Sequence, residues 1–89
     1  PIQIVDERNR IRMIGAGITI EKEKQFGKFV SLIPYTNIVK GLTLTGFKYP
    51  LDHYDFRGFC SLGVSNEIIA ESAQITFEDG ILIVIEARD

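Results

Sequence analysis

The chain has 89 residues, of which 45% are hydrophobic and 25% are charged, and its formal net charge is −2. This length and apolar fraction suit one globular domain with a modest core, and they exclude two domains and a disordered chain. The slight negative charge argues against general nucleic-acid binding, because a basic surface supplies most of that affinity. The longest apolar run, residues 81–85, is far shorter than the ~20 residues that a membrane helix needs.

The N-terminus and the cysteine content both favour a cytoplasmic protein. No basic region leads into an apolar stretch, so no signal peptide is predicted. Because the first residue is Pro1 rather than Met, we expect the chain to be part of a longer protein. Cys60 is the only cysteine and cannot form an internal disulfide, which suits a reducing compartment. Its apolar neighbours favour a buried thiol over a reactive one.

Most segments have the alternation and the β-branched composition of strands. The predicted strands are residues 2–5, 10–14, 18–20, 28–33, 40–46, 59–64, 73–77 and 81–85. In the segment 40–46, both threonines share one face and both leucines share the other. Residues 6–9 are predicted to form a turn, residues 47–56 an irregular aromatic-rich loop, and residues 78–80 a tight hairpin because of Asp79-Gly80.

No stretch keeps an apolar period of 3.6 residues for three turns, so no helix is predicted. Short strands with Gly and Pro between them are typical of a β-sandwich or a small barrel. The predicted fold class is all-β, a small β-sandwich of about seven to nine short, mostly antiparallel strands, in a single domain that covers residues 1–89.

Motifs for catalysis are absent from this sequence. It contains no Walker-type phosphate loop, no GxGxxG, and no Cys or His pair at metal-ligand spacing. The only histidine, His53, is predicted to be a partly exposed loop residue rather than a base or a ligand. No catalytic residue and no metal ligand is therefore predicted in this chain.

One polar triplet, Ser65-Asn66-Glu67, follows an apolar segment. A serine hydroxyl and an asparagine amide can face the donor and acceptor edge of a heterocycle. The same residues also favour turns, because their side chains bond their own backbone. The residues by themselves leave both interpretations open.

Four segments together carry a family resemblance. They are residues 29–34, residues 41–51 with the string Thr-x-Thr-Gly-x-Lys-Tyr-Pro-Leu, residues 64–67 with Ser-Asn-Glu, and residues 77–85. In this order and spacing they resemble the C-terminal thiamine-binding domain of thiamine pyrophosphokinases, of the bacterial type, from about residue 26 to residue 89.

The resemblance implies an enzyme that transfers diphosphate from ATP to thiamine, giving thiamine diphosphate and AMP. ATP and Mg²⁺ would be bound mainly by an N-terminal α/β domain that this chain lacks, so the 89-residue chain is expected to be inactive. The β-sandwich would help to bind thiamine and would form a homodimer. The active site would lie between one subunit's sandwich and the other's α/β domain.

The resemblance assigns the thiamine contact to Ser65 and Asn66. An asparagine amide can both donate to and accept from an aminopyrimidine, which agrees with this assignment. The thiazolium is a cation, so an aromatic face or a carboxylate would stabilise it, and Tyr49 and Glu67 are the candidates.

Three further residues near the loop are candidates. Thr43 and Thr45 share a strand face, where they would line the pocket or pair across the sheet surface. Lys48 would reach a phosphate across the interface or lie in solvent.

Two other functions compete with this one. The chain would be a non-catalytic β-sandwich that only holds a dimer together, or an oligonucleotide-binding barrel. The barrel would need a basic groove with exposed aromatic residues, and the acidic second half of the chain counts against it.

Overall fold

The computed structural model describes residues 2–57 and 66–88. In these ranges it contains nine strands: β1 (Ile2–Val5), β2 (Asn9–Ile14), β3 (Ile18–Glu21), β4 (Phe29–Pro34), β5 (Ile38–Thr45), β6 (Leu51–Arg57), β7 (Asn66–Glu67), β8 (Ser72–Thr76) and β9 (Leu82–Ala87). A single 3₁₀ turn, Lys22–Lys24, follows β3. No helix within the described part of the chain is long and apolar enough to cross a membrane.

The strands form two antiparallel sheets that pack face to face, so the predicted all-β sandwich is confirmed. The five-stranded sheet has the order β1-β2-β9-β4-β7, and the four-stranded sheet has the order β3-β8-β5-β6. Alternate side chains from both sheets meet in the core. Its buried apolar members are Ile14, Ile20, Val30, Val39, Leu42, Leu44, Phe47, Phe56, Ile68, Ala73, Ile75, Leu82 and Val84.

The predicted turn at residues 6–9 is confirmed, although β2 already begins at Asn9. The Asp6 carboxylate accepts hydrogen bonds from the backbone N–H groups of Arg8 and Asn9, each at 2.8 Å. These two donors stabilise the charged carboxylate, and they lower the pKa of Asp6 below its ordinary value.

β2 alternates as predicted, but its charged positions face the inside of the sandwich. Arg10 lies opposite Glu86 on β9, while Ile11 lies opposite Ile85 on the outer face. The Glu86 carboxylate is fully buried and pairs with Arg10 and Arg12, at 2.6 Å and 3.0 Å. Burial of the Arg12 guanidinium lowers its pKa, and the Glu86 charge opposes that shift. One end of the core is therefore ionic.

The predicted irregular loop at 47–56 is wrong for most of its length, because Leu51–Arg57 is strand β6. β6 pairs with β5 through shifted registers, and His53 has a positive φ of 49°. These irregularities let a mostly polar edge strand keep Phe56 buried. His53 is an exposed residue of this strand, not of a loop.

The hairpin predicted at Asp79-Gly80 is also wrong. β8 belongs to the four-stranded sheet and β9 to the five-stranded sheet, so the turn carries the chain from one sheet to the other. The backbone of residues 78–79 is instead paired with Lys40 on β5. Gly80 has a φ of 112°, a conformation that glycine adopts easily. The sequence therefore predicted a sharp turn correctly, but not the strands that it joins. The strand predicted at 59–64, and Cys60 within it, lie outside the described residues.

Candidate functional site

Two segments from different sheets run side by side at one edge of the sandwich. Residues 46–50 connect β5 to β6, and residues 66–70 include β7 and the chain that follows it. The Gly46 carbonyl accepts from the N–H groups of Ile69 and Ala70, at 2.9 and 3.3 Å. The Lys48 N–H donates to the Glu67 carbonyl at 2.8 Å. We call this paired region the edge site.

The turn into the edge site depends on Gly46. Its φ is 80°, and a Cβ at this position would collide with the Ser72 carbonyl oxygen on β8. The next residue, Phe47, is buried and forms a β-bridge with Ile68. The glycine therefore turns the chain from the exposed Thr45 at the end of β5 to the buried Phe47. This turn brings residues 48–50 beside β7.

Asn66 fixes the edge site through its amide. Its side chain is 7% exposed and points to the inside of the sandwich, in register with Val30. Its Oδ1 accepts from the backbone N–H groups of Tyr49 (2.9 Å) and Glu67 (3.0 Å), and its Nδ2 donates to the Tyr49 carbonyl at 2.8 Å. Both lone pairs of Oδ1 are thus used, and among the described residues one of the two amide N–H groups has a partner.

Tyr49 and Lys48 lie together next to this amide. Tyr49 is 49% exposed, and the Lys48 ammonium lies 5.4 Å from the centre of its ring. That distance suits a cation–π contact on one face of the ring.

The remaining predicted residues are not gathered at one point. Glu67 lies opposite Phe29, so its side chain projects from the outer face of the five-stranded sheet, away from Asn66. Thr43 and Thr45 pair with Thr76 and Gln74 on β8.

The two threonines project from the outer face of the four-stranded sheet, while Leu42 and Leu44 are buried, as the alternation predicted. Thr43 Oγ1 accepts from the His53 N–H at 3.1 Å. Ser65 lies outside the described residues. Of the predicted residues, Lys48, Tyr49 and Asn66 are in contact, and their roles remain predictions.

Two features of the molecule were missed by sequence reasoning. The positive φ of Gly46 was not predicted, although a glycine directly after a strand is a signal for one. The Arg10–Glu86–Arg12 cluster was not anticipated. Its signal was a lone Glu at an inward position of the apolar strand β9, together with charged residues at alternate positions of β2.

The part of the chain that the structure describes contains no cluster of metal-ligating side chains. In residues 2–57 and 66–88, no three His, Cys, Asp or Glu side chains are grouped to hold a metal ion. The donor set of these residues therefore does not fit Mg²⁺, and no step is assigned to a metal on them. An open depression of about 570 Å³ is lined by Glu21, Lys22, Glu23, Glu71 and Ser72, none of which is a predicted site residue.

Gly46 provides a direct test of how the edge site is built. Because of its φ of 80° and the collision with Ser72, we expect Gly46→Ala to destabilise the chain by about 1–3 kcal/mol. Gly15→Ala is the matched control, since nothing lies within 4 Å of a Cβ there. Urea unfolding of both variants is the measurement. Equal midpoints for the two variants would show that Gly46 does not direct the turn.

Comparison with known proteins places the edge site inside a matched region. Residues 17–82 match the family model described as thiamin pyrophosphokinase, vitamin B1 binding domain. The thiamine pyrophosphokinase of Bacillus subtilis (strain 168) is 38% identical over an alignment of 89 positions, which covers 99% of this chain and 41% of that protein.

Solved structures agree with the sequence match. A crystal structure of thiamine pyrophosphokinase from Bacillus subtilis has a TM-score of 0.89 and 36% identity, covering 98% of this chain and 41% of that one. The enzyme from Geobacillus thermodenitrificans has a TM-score of 0.83 and 36% identity, covering 100% of this chain and 41% of that one. This chain therefore spans about two-fifths of the length of these relatives.

Proposed function

The chain belongs to the vitamin B1-binding domain family of thiamine pyrophosphokinases, and from this premise we propose that it holds thiamine at the edge site for diphosphate transfer. The parent enzyme would transfer diphosphate from ATP to the thiamine hydroxyl, which gives thiamine diphosphate and AMP. It would act in the cytoplasm, as expected for a chain with a single cysteine.

The observation that carries this proposal is the pairing of the Asn66 amide with the Tyr49 backbone within the matched region. The second N–H of the amide, which has no partner among the described residues, would donate to a ring nitrogen of an aminopyrimidine. Tyr49 is 49% exposed, and a thiazolium cation would stack on its ring. Ser65 would add its hydroxyl next to Asn66, and Lys48 would attract a phosphate group.

The other predicted contacts have weaker support in this geometry. Thr43 and Thr45 project from the outer face of the four-stranded sheet, where pairing across the sheet surface accounts for them. Glu67 projects from the opposite side of β7 to Asn66. A thiazolium contact from Glu67 would therefore require the ligand to extend around the edge of the sheet.

The rest of the activity would come from the part of the enzyme that this chain lacks. We propose that an N-terminal α/β domain binds ATP and Mg²⁺ and that two sandwiches form a homodimer, so that each active site contains residues of both subunits. Phosphoryl transfer relies on positioned metal ions and phosphate-binding groups. The 89-residue chain would therefore bind the vitamin without turning over ATP.

Titration of the isotope-labelled chain with thiamine, followed by NMR, tests this function. We expect the amide signals of Tyr49 and Glu67 to shift, because both N–H groups donate to the Asn66 amide. Oxythiamine has a carbonyl in place of the exocyclic amine and a proton on the adjacent ring nitrogen, so it offers the amide N–H one acceptor nitrogen fewer and should shift them less. Adding ATP and Mg²⁺ should release no AMP. The proposal fails if millimolar thiamine moves neither signal. Robust AMP release would refute the assignment of ATP and Mg²⁺ binding to the N-terminal domain.

The competing function, a sandwich that only holds a dimer together, gives the opposite result in this titration. It predicts an oligomer whose Tyr49 and Glu67 signals do not respond to thiamine.

A further inference from the structure

The two segments of the edge site pair as antiparallel strands do. The bridge between Phe47 and Ile68 sets the register, and the Lys48 N–H donates to the Glu67 carbonyl at 2.8 Å. Lys48 therefore lies directly opposite Glu67. Side chains at opposite positions of an antiparallel pair project from the same face, with Cβ atoms about 4.5–5.5 Å apart. The Lys48 ammonium can therefore reach the Glu67 carboxylate by a change of side-chain rotamer alone.

Lys48 nevertheless contacts a different group. Its ammonium lies 5.4 Å from the centre of the Tyr49 ring. The Glu67 carboxylate has no ion-pair partner among the described residues. Lys48 is exposed and Glu67 is half-buried. Lys48 thus has two partners within reach, an aromatic ring and a carboxylate, and it lies on the ring.

Thiamine would bring a second cation to the ring on which Lys48 lies. The proposed function stacks the thiazolium on Tyr49, and the ring attracts either cation. Two cations on one ring repel each other, because like charges a few ångströms apart raise the energy. Lys48 on the ring therefore opposes thiazolium binding. The opposition ends when the ammonium moves to a group of opposite charge, and Glu67 is the carboxylate opposite to it in the register.

We propose that Lys48 leaves the Tyr49 ring for the Glu67 carboxylate when the thiazolium binds, so that Glu67 is a positioning residue that acts through Lys48. The inference rests on the proposed binding of thiamine at the edge site, and it adds how the site exchanges one cation for another. Because the Glu67 side chain projects away from Asn66, it can fill this role without contacting the ligand. An uncharged ligand ring would not require the exchange.

A double-mutant cycle tests the exchange, with dissociation constants for thiamine measured on the 89-residue chain by NMR titration. We expect Glu67→Gln to weaken binding about two- to five-fold, because the displaced ammonium then gains no carboxylate. Lys48→Gln removes the competing cation and should bind thiamine at least as tightly as the unchanged chain. In the Lys48→Gln background, Glu67→Gln should have no further effect. Lys40→Gln, which removes an exposed ammonium from β5, is the matched control and should leave binding unchanged.

The NMR signals of the Lys48 side chain provide a second measurement. Protons over an aromatic ring resonate upfield, so saturating thiamine should move the Lys48 Hε signals downfield. If thiamine shifts the Tyr49 amide but leaves these signals in place, the exchange is wrong and the proposed function stands. The same holds if Glu67→Gln weakens binding equally with and without Lys48, since Glu67 then contacts the ligand directly. If thiamine moves no signal of the chain, both proposals are refuted.

Discussion

Replacing Glu86 with alanine is expected to lower the free energy of unfolding by about 3 kcal/mol, at the low end of the values for breaking buried ion pairs. The Glu86 carboxylate is fully buried, and it accepts from Arg10, Arg12 and the Phe26 N–H. Without it, two guanidinium groups would face each other at the end of the core. They are 21–23% exposed, so water would compensate part of the loss.

The matched control is Glu21→Ala. Glu21 pairs with Lys24 at 3.1 Å, and both side chains are more than half exposed, so its loss should cost no more than about 1 kcal/mol. Thermal unfolding should show a midpoint for Glu86→Ala that is roughly 12–24 °C lower, given the size of the domain. If both variants shift the midpoint by the same small amount, the buried cluster does not stabilise the fold.

This cluster shows what strand periodicity cannot determine. The alternation of charged and apolar residues in β2 predicted a strand correctly, because the side-chain period depends only on the backbone. The face that is buried depends on a partner far away in sequence. Arg10 and Arg12 can face inward only because Glu86, 76 and 74 residues away, supplies the opposite charge.

The same limit explains the two errors in the fold. Asp79-Gly80 correctly predicted a sharp turn, since Gly80 has a positive φ. Whether a turn joins neighbours in one sheet or crosses to another is decided by core packing. Residues 51–57 lack an apolar alternation because the register of β6 against β5 shifts twice and His53 has a positive φ, which interrupts the two-residue period of the side chains.

The candidate site was predictable by residue type but not by arrangement. The residues alone named Asn66 as a group that donates and accepts, and they left a turn as the alternative. The structure shows that this amide is bonded to the backbone of Tyr49, 17 residues earlier. No local sequence pattern predicts such a contact, because it depends on how residues 46–50 pack against β7.

Asn66→Ala is expected to destabilise the chain and to weaken thiamine binding together. The change removes the partners of the Tyr49 N–H and C=O, which are held at 2.9 and 2.8 Å. Leaving such buried groups without a hydrogen-bond partner lowers the free energy of unfolding by about 1–3 kcal/mol. In the full-length enzyme, a similar loss of binding would raise the thiamine Michaelis constant roughly five- to hundred-fold. The Michaelis constant for ATP should change little, because we place ATP on the other domain.

Asn66→Asp distinguishes a positioning and binding role from that of a simple turn. A carboxylate can still accept from the Tyr49 and Glu67 N–H groups, but it cannot donate to the Tyr49 carbonyl or to a ligand nitrogen. A turn tolerates Asp nearly as well as Asn. We therefore expect Asn66→Asp to lower the unfolding midpoint and to raise the thiamine Michaelis constant.

Asn37→Ala and Asn37→Asp are the matched controls for these two changes. Asn37 is exposed in the connection between β4 and β5, so both changes should leave unfolding and thiamine kinetics unaltered. The Michaelis constants and the thermal midpoint of the four variants can be measured side by side. An Asn66→Asp enzyme with unchanged stability and unchanged thiamine kinetics would show that the amide N–H neither holds Tyr49 nor contacts the vitamin. The Asn66→Ala effects would then belong to the N–H groups of Tyr49 and Glu67, which a carboxylate still satisfies.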